Sequence, residues 1–524
     1  MARMKLLTAK KAKTVKTAKA PAKEAGPGSR GWTGRGGGMA QLLPSVREYR
    51  GTTVQVCGLW PFSSGASSPM IGVPLGRHEE TRATVCCDPI SWFQRARLIS
   101  NPSAFILGKP GLGKSTVVRR MFIGLSAHGV HPLILGDLKG EHVKAVKALG
   151  GQVIKLGRVV GYLNILDPGQ AVEAAQLLED SGHHEDAARV RADAHGRRLT
   201  MVVSLITISR NNAPTDQEQT ILDRALRVLD ERFDGVPVLK DLLDVIVSAP
   251  DELRQVALDR GDLNIYLQET RALEATLLGL TGGGKLGEIF SRQTTNPMKR
   301  DRAVVFDVSS IDETETDLQA AVLLACWSYG FGTVNVANAL ADAGLEPRRN
   351  YFVVLDELWR ALRAGKGMVD RVDALTRLNR SVGVGQIIIS HTMSDLLALP
   401  AEDDRMKARG FVERSGMVIC GGLPASEMPL LTSAIPLSRQ EQQKLISWQD
   451  PPAWDSRGVD VEPPGRGKFL IKVGGRPGIP VQVGLTSVEH GPDGVNDTDG
   501  KWHGSPEPIL DPAAPIMPTE GGTL

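Results

Sequence analysis

The chain has 524 residues and a mass of 56.3 kDa, with 41% hydrophobic residues, 23% charged residues and a formal net charge of +3. At about 100–200 residues per domain that is room for two to four domains, and the composition excludes a fibrous or wholly disordered chain. The near-neutral balance hides two opposite ends: residues 1–40 carry ten Lys/Arg against one Glu, whereas residues 491–524 carry six Asp/Glu against one Lys.

Residues 1–44 are Lys/Ala/Gly-biased and too poor in apolar residues to fold alone, so they read as a disordered basic tail. Such a tail could touch nucleic acid or anionic lipid, or simply be solvated. It has no apolar core of a secretory signal. No uncharged apolar run near the ~18–20 residues that span a bilayer is expected anywhere in the chain. Five cysteines (Cys57, Cys86, Cys87, Cys326 and Cys420) form no Cys-x-x-Cys pair, which argues against a disulfide scaffold and a structural zinc. A reducing cytoplasm is the expected setting. Residues 45–100 read as a short N-terminal region leading into a core.

The first chemistry-bearing element follows. An apolar run from Ala104 to Leu107 predicts a strand, and it ends in Gly108-Lys109-Pro110-Gly111-Leu112-Gly113-Lys114-Ser115, with Thr116 and a helical stretch behind it. This spacing is that of a phosphate loop in its proper strand–loop–helix context. Glycines let the backbone wrap phosphate oxygens, and the loop N–H groups and helix N-terminus face the anion. Lys114 is expected to reach the β- and γ-phosphates, and the Ser115 hydroxyl to ligate Mg²⁺.

Strand-like runs recur at Pro132–Gly136, Gln152–Leu156 and Ala303–Val308, whereas residues 170–290 carry mainly helical patterns. One helix is well marked: Thr215 and Glu218 spell a capping box after Pro214, leading into Ile221, Leu222, Ala225, Leu226, Val228, Leu229 and Phe233 on one face. The organisation predicted is therefore an α/β core built from residues 101–169 and 291–485, interrupted by an all-helical insertion domain over residues 170–290. Later in the core, the apolar run Tyr351–Leu355 predicts a buried strand with Asp356 and Glu357 at its carboxyl end. That is where open parallel sheets bind ligands. Asp356 is the natural acid for Mg²⁺, and Glu357 the base for the attacking water. Strands are also predicted at Gly385–Ser390, Gly416–Cys420, Lys468–Val473 and Ile479–Leu485, before an acidic, Pro/Gly-rich tail over residues 486–524.

Taken in order, Gly72-Val73-Pro74-Leu75-Gly76, Asn101-Pro102, the phosphate loop, Gly136-Asp137-Leu138-Lys139-Gly140-Glu141, Leu163-Asn164-Ile165-Leu166-Asp167-Pro168, Phe306-Asp307-Val308 and Asp356-Glu357-Leu358-Trp359 form a series. It resembles the ATPases of conjugative type IV secretion systems, within the HerA/FtsK-like group of RecA-fold motors. Within them it looks most like the actinobacterial-type assembly ATPase, with a shorter N-terminal part. The resemblance implies a RecA-like P-loop NTPase core, ATP and Mg²⁺ as cofactors, and a homo-oligomeric ring, a hexamer or a lower oligomer. It further implies docking on secretion-channel proteins, at the inner face of a bacterial cell membrane and without a transmembrane segment of its own.

In that family the strand after the acid pair ends in Thr-Gln. Here Ser390-His391-Thr392 stands in its place, and His391 is expected to donate to the γ-phosphate. Ring motors also complete each site with an arginine from a neighbouring subunit. Arg380 is the first candidate, with Arg377, Arg409 and Arg414 behind it. Two other functions stay open at this point: a DNA-translocating, coupling-protein-like ATPase, and a nucleotide-gated scaffold with little turnover.

Overall fold

A computed structural model describes residues 69–282, 284, 286–363, 368–377, 384–451, 463–487, 489 and 494–496. The basic tail, most of the acidic tail and Arg380 lie outside these residues. In chain order the strands are β1 (Pro74–His78), β2 (Thr84–Cys86), β3 (Ser103–Leu107), β4 (Val130–Asp137), β5 (Gln152–Lys155), β6 (Val304–Asp307), β7 (Asn350–Leu355), β8 (Gly385–Ile389), β9 (Met417–Cys420), β10 (Lys468–Lys472) and β11 (Ile479–Val483). They form one sheet in the order β2-β1-β11-β10-β9-β3-β8-β7-β4-β6-β5.

The sheet has two halves. From β9 to β5 every pairing is parallel, and from β9 outward through β10, β11, β1 and β2 every pairing is antiparallel. The inner parallel strands are buried on both faces, which is why β3 (SAFIL) and β8 (GQIII) are covered at every position and read as largely apolar runs rather than alternations. Residues 74–86, read from sequence as a lead-in, supply the outermost strands of the antiparallel half.

One consequence of the strand order positions the site. β8 lies between β3 and β7, with Ile106 opposite Ile389 and Leu355 opposite Ile388. The carboxyl ends of three adjacent parallel strands therefore fall in register at one edge. They deliver the phosphate loop, Ser390-His391 and Asp356-Glu357 side by side.

Between β5 and β6 the chain runs through helices from Ala171 to Phe290. The capping box at Thr215 is formed on both sides: Thr215 Oγ1 accepts from the Glu218 amide at 3.2 Å, and the Glu218 carboxylate accepts from the Thr215 amide at 2.8 Å. Ile221, Leu222, Ala225, Leu226, Val228 and Leu229 are buried as the spacing predicts. Phe233 is not; it is 39% exposed, because the helix ends at Arg232 and Phe233 already has extended backbone. The apolar faces of these helices continue into the cluster formed by Leu133, Phe306 and Trp327 on one side of the sheet.

The helix Thr316–Asp342 corrects one expectation. Leu318 to Ala341 is free of charged residues, and the helix is long and apolar enough by composition to cross a membrane. However, 89% of its apolar window is buried inside the protein, against β4 and the helix His184–Arg210. Its all-round hydrophobicity is that of a helix enclosed in a core.

Candidate functional site

The phosphate loop leaves β3 and enters the helix Lys114–Ser126. Gly111 and Gly113 have φ of +79° and +94°, left-handed values that a side chain resists, and Gly113 is the residue that caps the helix. Other strands hold the loop in place. The Gly108 amide donates to His391 O (2.9 Å), the Lys109 amide to Gly422 O (3.0 Å), and the Gly467 amide to Leu112 O (3.0 Å). Gly108 also approaches Gly421 so closely that an added Cβ would lie 3.2 Å from the Gly421 Cα. These contacts fix the loop from β8, β9 and the turn before β10, and none is visible in the local motif.

Lys114 is 8% exposed. Its ammonium donates to Gly108 O at 2.6 Å and to His391 Nδ1 at 3.0 Å. With Nδ1 accepting, the His391 proton sits on Nε2, which faces Glu357 Oε1 at 3.3 Å. Burial draws the Lys114 ammonium down to about 8, against the opposing pull of Asp356 and Glu357. The structure thus brings Lys114, His391, Asp356 and Glu357 into one cluster.

Glu357 is 4% exposed, and its backbone is left-handed at φ +52°. A non-glycine residue there costs about 1–3 kcal/mol and persists only where its surroundings over-determine it. They do so here: its amide donates to Asp356 Oδ1 at 2.8 Å, and Trp359 Nε1 donates to its Oε2 at 2.5 Å. Burial alone would raise the Glu357 carboxyl, but the hydrogen bond from His391, with the Lys139 charge and the Trp359 hydrogen bond, holds it below the usual carboxylate range. Asp356 goes the other way: burial first, then the adjacent Glu357 charge, push its carboxyl well up. The two neighbouring acids are thereby split in proton affinity, Glu357 the lower and Asp356 the higher.

These residues fit a nucleoside triphosphate and a divalent cation. A buried ammonium sits on an open glycine loop at a helix N-terminus. The Ser390 hydroxyl, 1% exposed at the end of β8, is an orphaned polar atom at the same edge. Ser115 and Asp356 would hold the cation, whose chemistry there is to neutralise charge on the phosphate oxygens. Glu357 would stand beside it.

Of the candidate trans arginines, Arg380 and the Arg377 side chain lie outside the described residues. Arg409 bonds Glu413 and Ser433 O, and Arg414 bonds Asp373 at 2.7 Å. Two features have no local sequence signal. The Lys139 ammonium lies 3.9 Å from Glu357 Oε1. Trp359, which bonds Glu357, is covered by the guanidinium groups of Arg360 and Arg363 at 4.8 and 4.7 Å from its ring.

Residues 94–326 match the family described as "Helicase HerA, central domain". This segment, a little under half of the chain, is similar to that domain. Among solved structures the chain is similar to VirB4 of Thermoanaerobacter pseudethanolicus (TM-score 0.58, 18% identity, covering 81% of this chain and 99% of that one). It is also similar to the plasmid coupling protein TrwB in complex with ADP and Mg²⁺ (TM-score 0.46, 13% identity, 81% and 97% covered). At 18% identity the likeness to VirB4 is one of fold, a RecA-like P-loop architecture. No curated protein is significantly similar to the chain in sequence.

Proposed function

We propose that the protein is an ATP-hydrolysing motor of a conjugative type IV secretion apparatus, powering channel assembly or substrate transfer. The observation that carries the reading is the Lys114–His391–Glu357 cluster beside Asp356, four functional groups from three adjacent strand ends. Lys114 would bind the β- and γ-phosphates, Ser115 and Asp356 the Mg²⁺, and Glu357 would orient and deprotonate the attacking water. His391, once Lys114 turns to the nucleotide, is free to meet the γ-phosphate. The HerA-type domain and the VirB4-like fold support a ring motor, in which Arg380 of a neighbouring copy would complete the site. Secretion-channel proteins would then hold the ring at the inner face of a bacterial membrane.

A DNA-translocating, coupling-protein-like ATPase is the second reading, favoured by the helicase family that the central domain matches. A scaffold that binds ATP without turnover has no use for a strained, fully bonded Glu357. Steady-state ATP hydrolysis with and without single- and double-stranded DNA, with Lys114→Ala as control, separates them. The secretion motor predicts hydrolysis indifferent to DNA and abolished in the control. Strong stimulation by DNA that vanishes at high salt supports the translocase.

A further inference from the structure

We propose that Lys139 is a positioning residue for Glu357, a cation that β4 supplies to the base on β7. The inference rests on the hydrolytic reading above. Lys139 sits in the turn after β4, and that turn is rigidly built. Asp137 is 1% exposed and spends its two oxygens on the amides of Glu141 (3.0 Å) and His142 (2.7 Å). Its carbonyl accepts from Val308 at 3.1 Å, and Gly140 supplies the left-handed residue (φ +67°) that closes the turn. Lys139 stands between these fixed points, its side chain 48% exposed at the mouth of the site.

An ion pair between two exposed side chains contributes little, but here one partner is a buried carboxylate on strained backbone. Glu357 is gripped from three elements: Trp359 on Oε2, and His391 and Lys139 both on Oε1. Of these, His391 is tied to Lys114, and both must turn toward a bound nucleotide. Lys139 belongs to neither the phosphate loop nor β8, so its hold on Oε1 persists when the others rearrange. The other charges facing this point are Asp356 beside Glu357, Glu141 on the Lys139 turn, and the Lys114 ammonium. A cation supplied from outside the phosphate loop and β8 keeps the carboxylate aimed while the triphosphate enters.

The test is steady-state ATP hydrolysis by the full chain and by Lys139→Met, Lys139→Arg, Glu357→Gln and the Lys139→Met/Glu357→Gln double variant, with thermal unfolding of each. Lys139→Met should lower kcat ~10–100-fold, the scale of a misplaced catalytic group, with KM for ATP within about two-fold and an unchanged unfolding temperature. Lys139→Arg should recover most of the loss. Adding Lys139→Met to Glu357→Gln should cost less than about two-fold more, because the carboxylate it positions is already gone. Wild-type turnover in Lys139→Met, a loss of equal size with or without Glu357, or a loss confined to KM overturns the inference. If Glu357→Gln is inactive while Lys139→Met turns over normally, this inference alone fails. If the unaltered chain does not hydrolyse ATP, the proposed function fails with it.

Discussion

Asp137 and Asp356 end neighbouring parallel strands, β4 and β7, at the same edge of the sheet. Their sequence contexts are alike, an apolar run closed by an acid. Their oxygens are used differently. Asp137 gives both to backbone amides of its own turn, whereas Asp356 gives one to the Glu357 amide and, among the described residues, no hydrogen bond reaches the other. An acid at a strand end is thus identified by what its second oxygen is doing. Asp137 builds a turn; Asp356 has an oxygen that no described hydrogen bond occupies.

That contrast predicts opposite phenotypes. Asp356→Asn should lower ATP hydrolysis by about 10³-fold, the several kcal/mol of charge stabilisation a bound divalent cation supplies, while urea unfolding stays close to wild type. Asp137→Ala should act first on stability, with a loss of hydrolysis no greater than that of Lys139→Met, because the turn it loosens carries Lys139. Orphaning two amides costs about 2–6 kcal/mol of stability, at ~1–3 kcal/mol per unsatisfied group, read by the same urea titration. An Asp137→Ala protein of full stability but no activity would break the comparison.

A smaller effect concerns the lysine beside Asp356 and Glu357. Lys114 titrates near 8 because burial lowers it, and a bound triphosphate should return it toward its ordinary range of ~10.4. Nucleotide binding should therefore take up a proton between about pH 8 and 10, and affinity should fall as pH rises through 8. Calorimetry in buffers of different ionisation enthalpy measures this uptake, and Lys114→Met should abolish it. The smallest effect lies in the helical insertion, away from both acids. Thr215→Ala removes one side of the capping box and should cost about 1 kcal/mol with hydrolysis unchanged.

How much of this was legible in the sequence depended on whether the cause was local. The phosphate loop and the Asp356-Glu357 strand end were readable because each is a contiguous pattern whose spacing dictates its geometry. So were β4 to β11, whose apolar runs end within two residues of the observed strands. Placing β8 between β3 and β7 was not readable, since pairing order is set by packing across hundreds of residues. The approach of Lys139 to Glu357, and the hold of Gly422 and Gly467 on the loop, follow from that order and were equally hidden. The left-handed backbone of Glu357 had no signal either, because a glutamate does not announce strain. Leu318–Ala341 was overlooked as an apolar run because its Ser, Tyr, Gly and Asn residues interrupt the aliphatic pattern. Its burial, rather than its composition, is what makes it a core helix.

The most direct measurement is ATP binding and ATP hydrolysis side by side in the unaltered protein and in Glu357→Gln. If Glu357 is the base that its placement beside Asp356, Lys114 and His391 indicates, the variant binds Mg²⁺–ATP with affinity within a few-fold of wild type and loses about 10²–10⁴-fold in kcat. A Glu357→Gln protein that hydrolyses ATP at the unaltered rate, or an unaltered protein that binds ATP and never turns it over, would contradict the account.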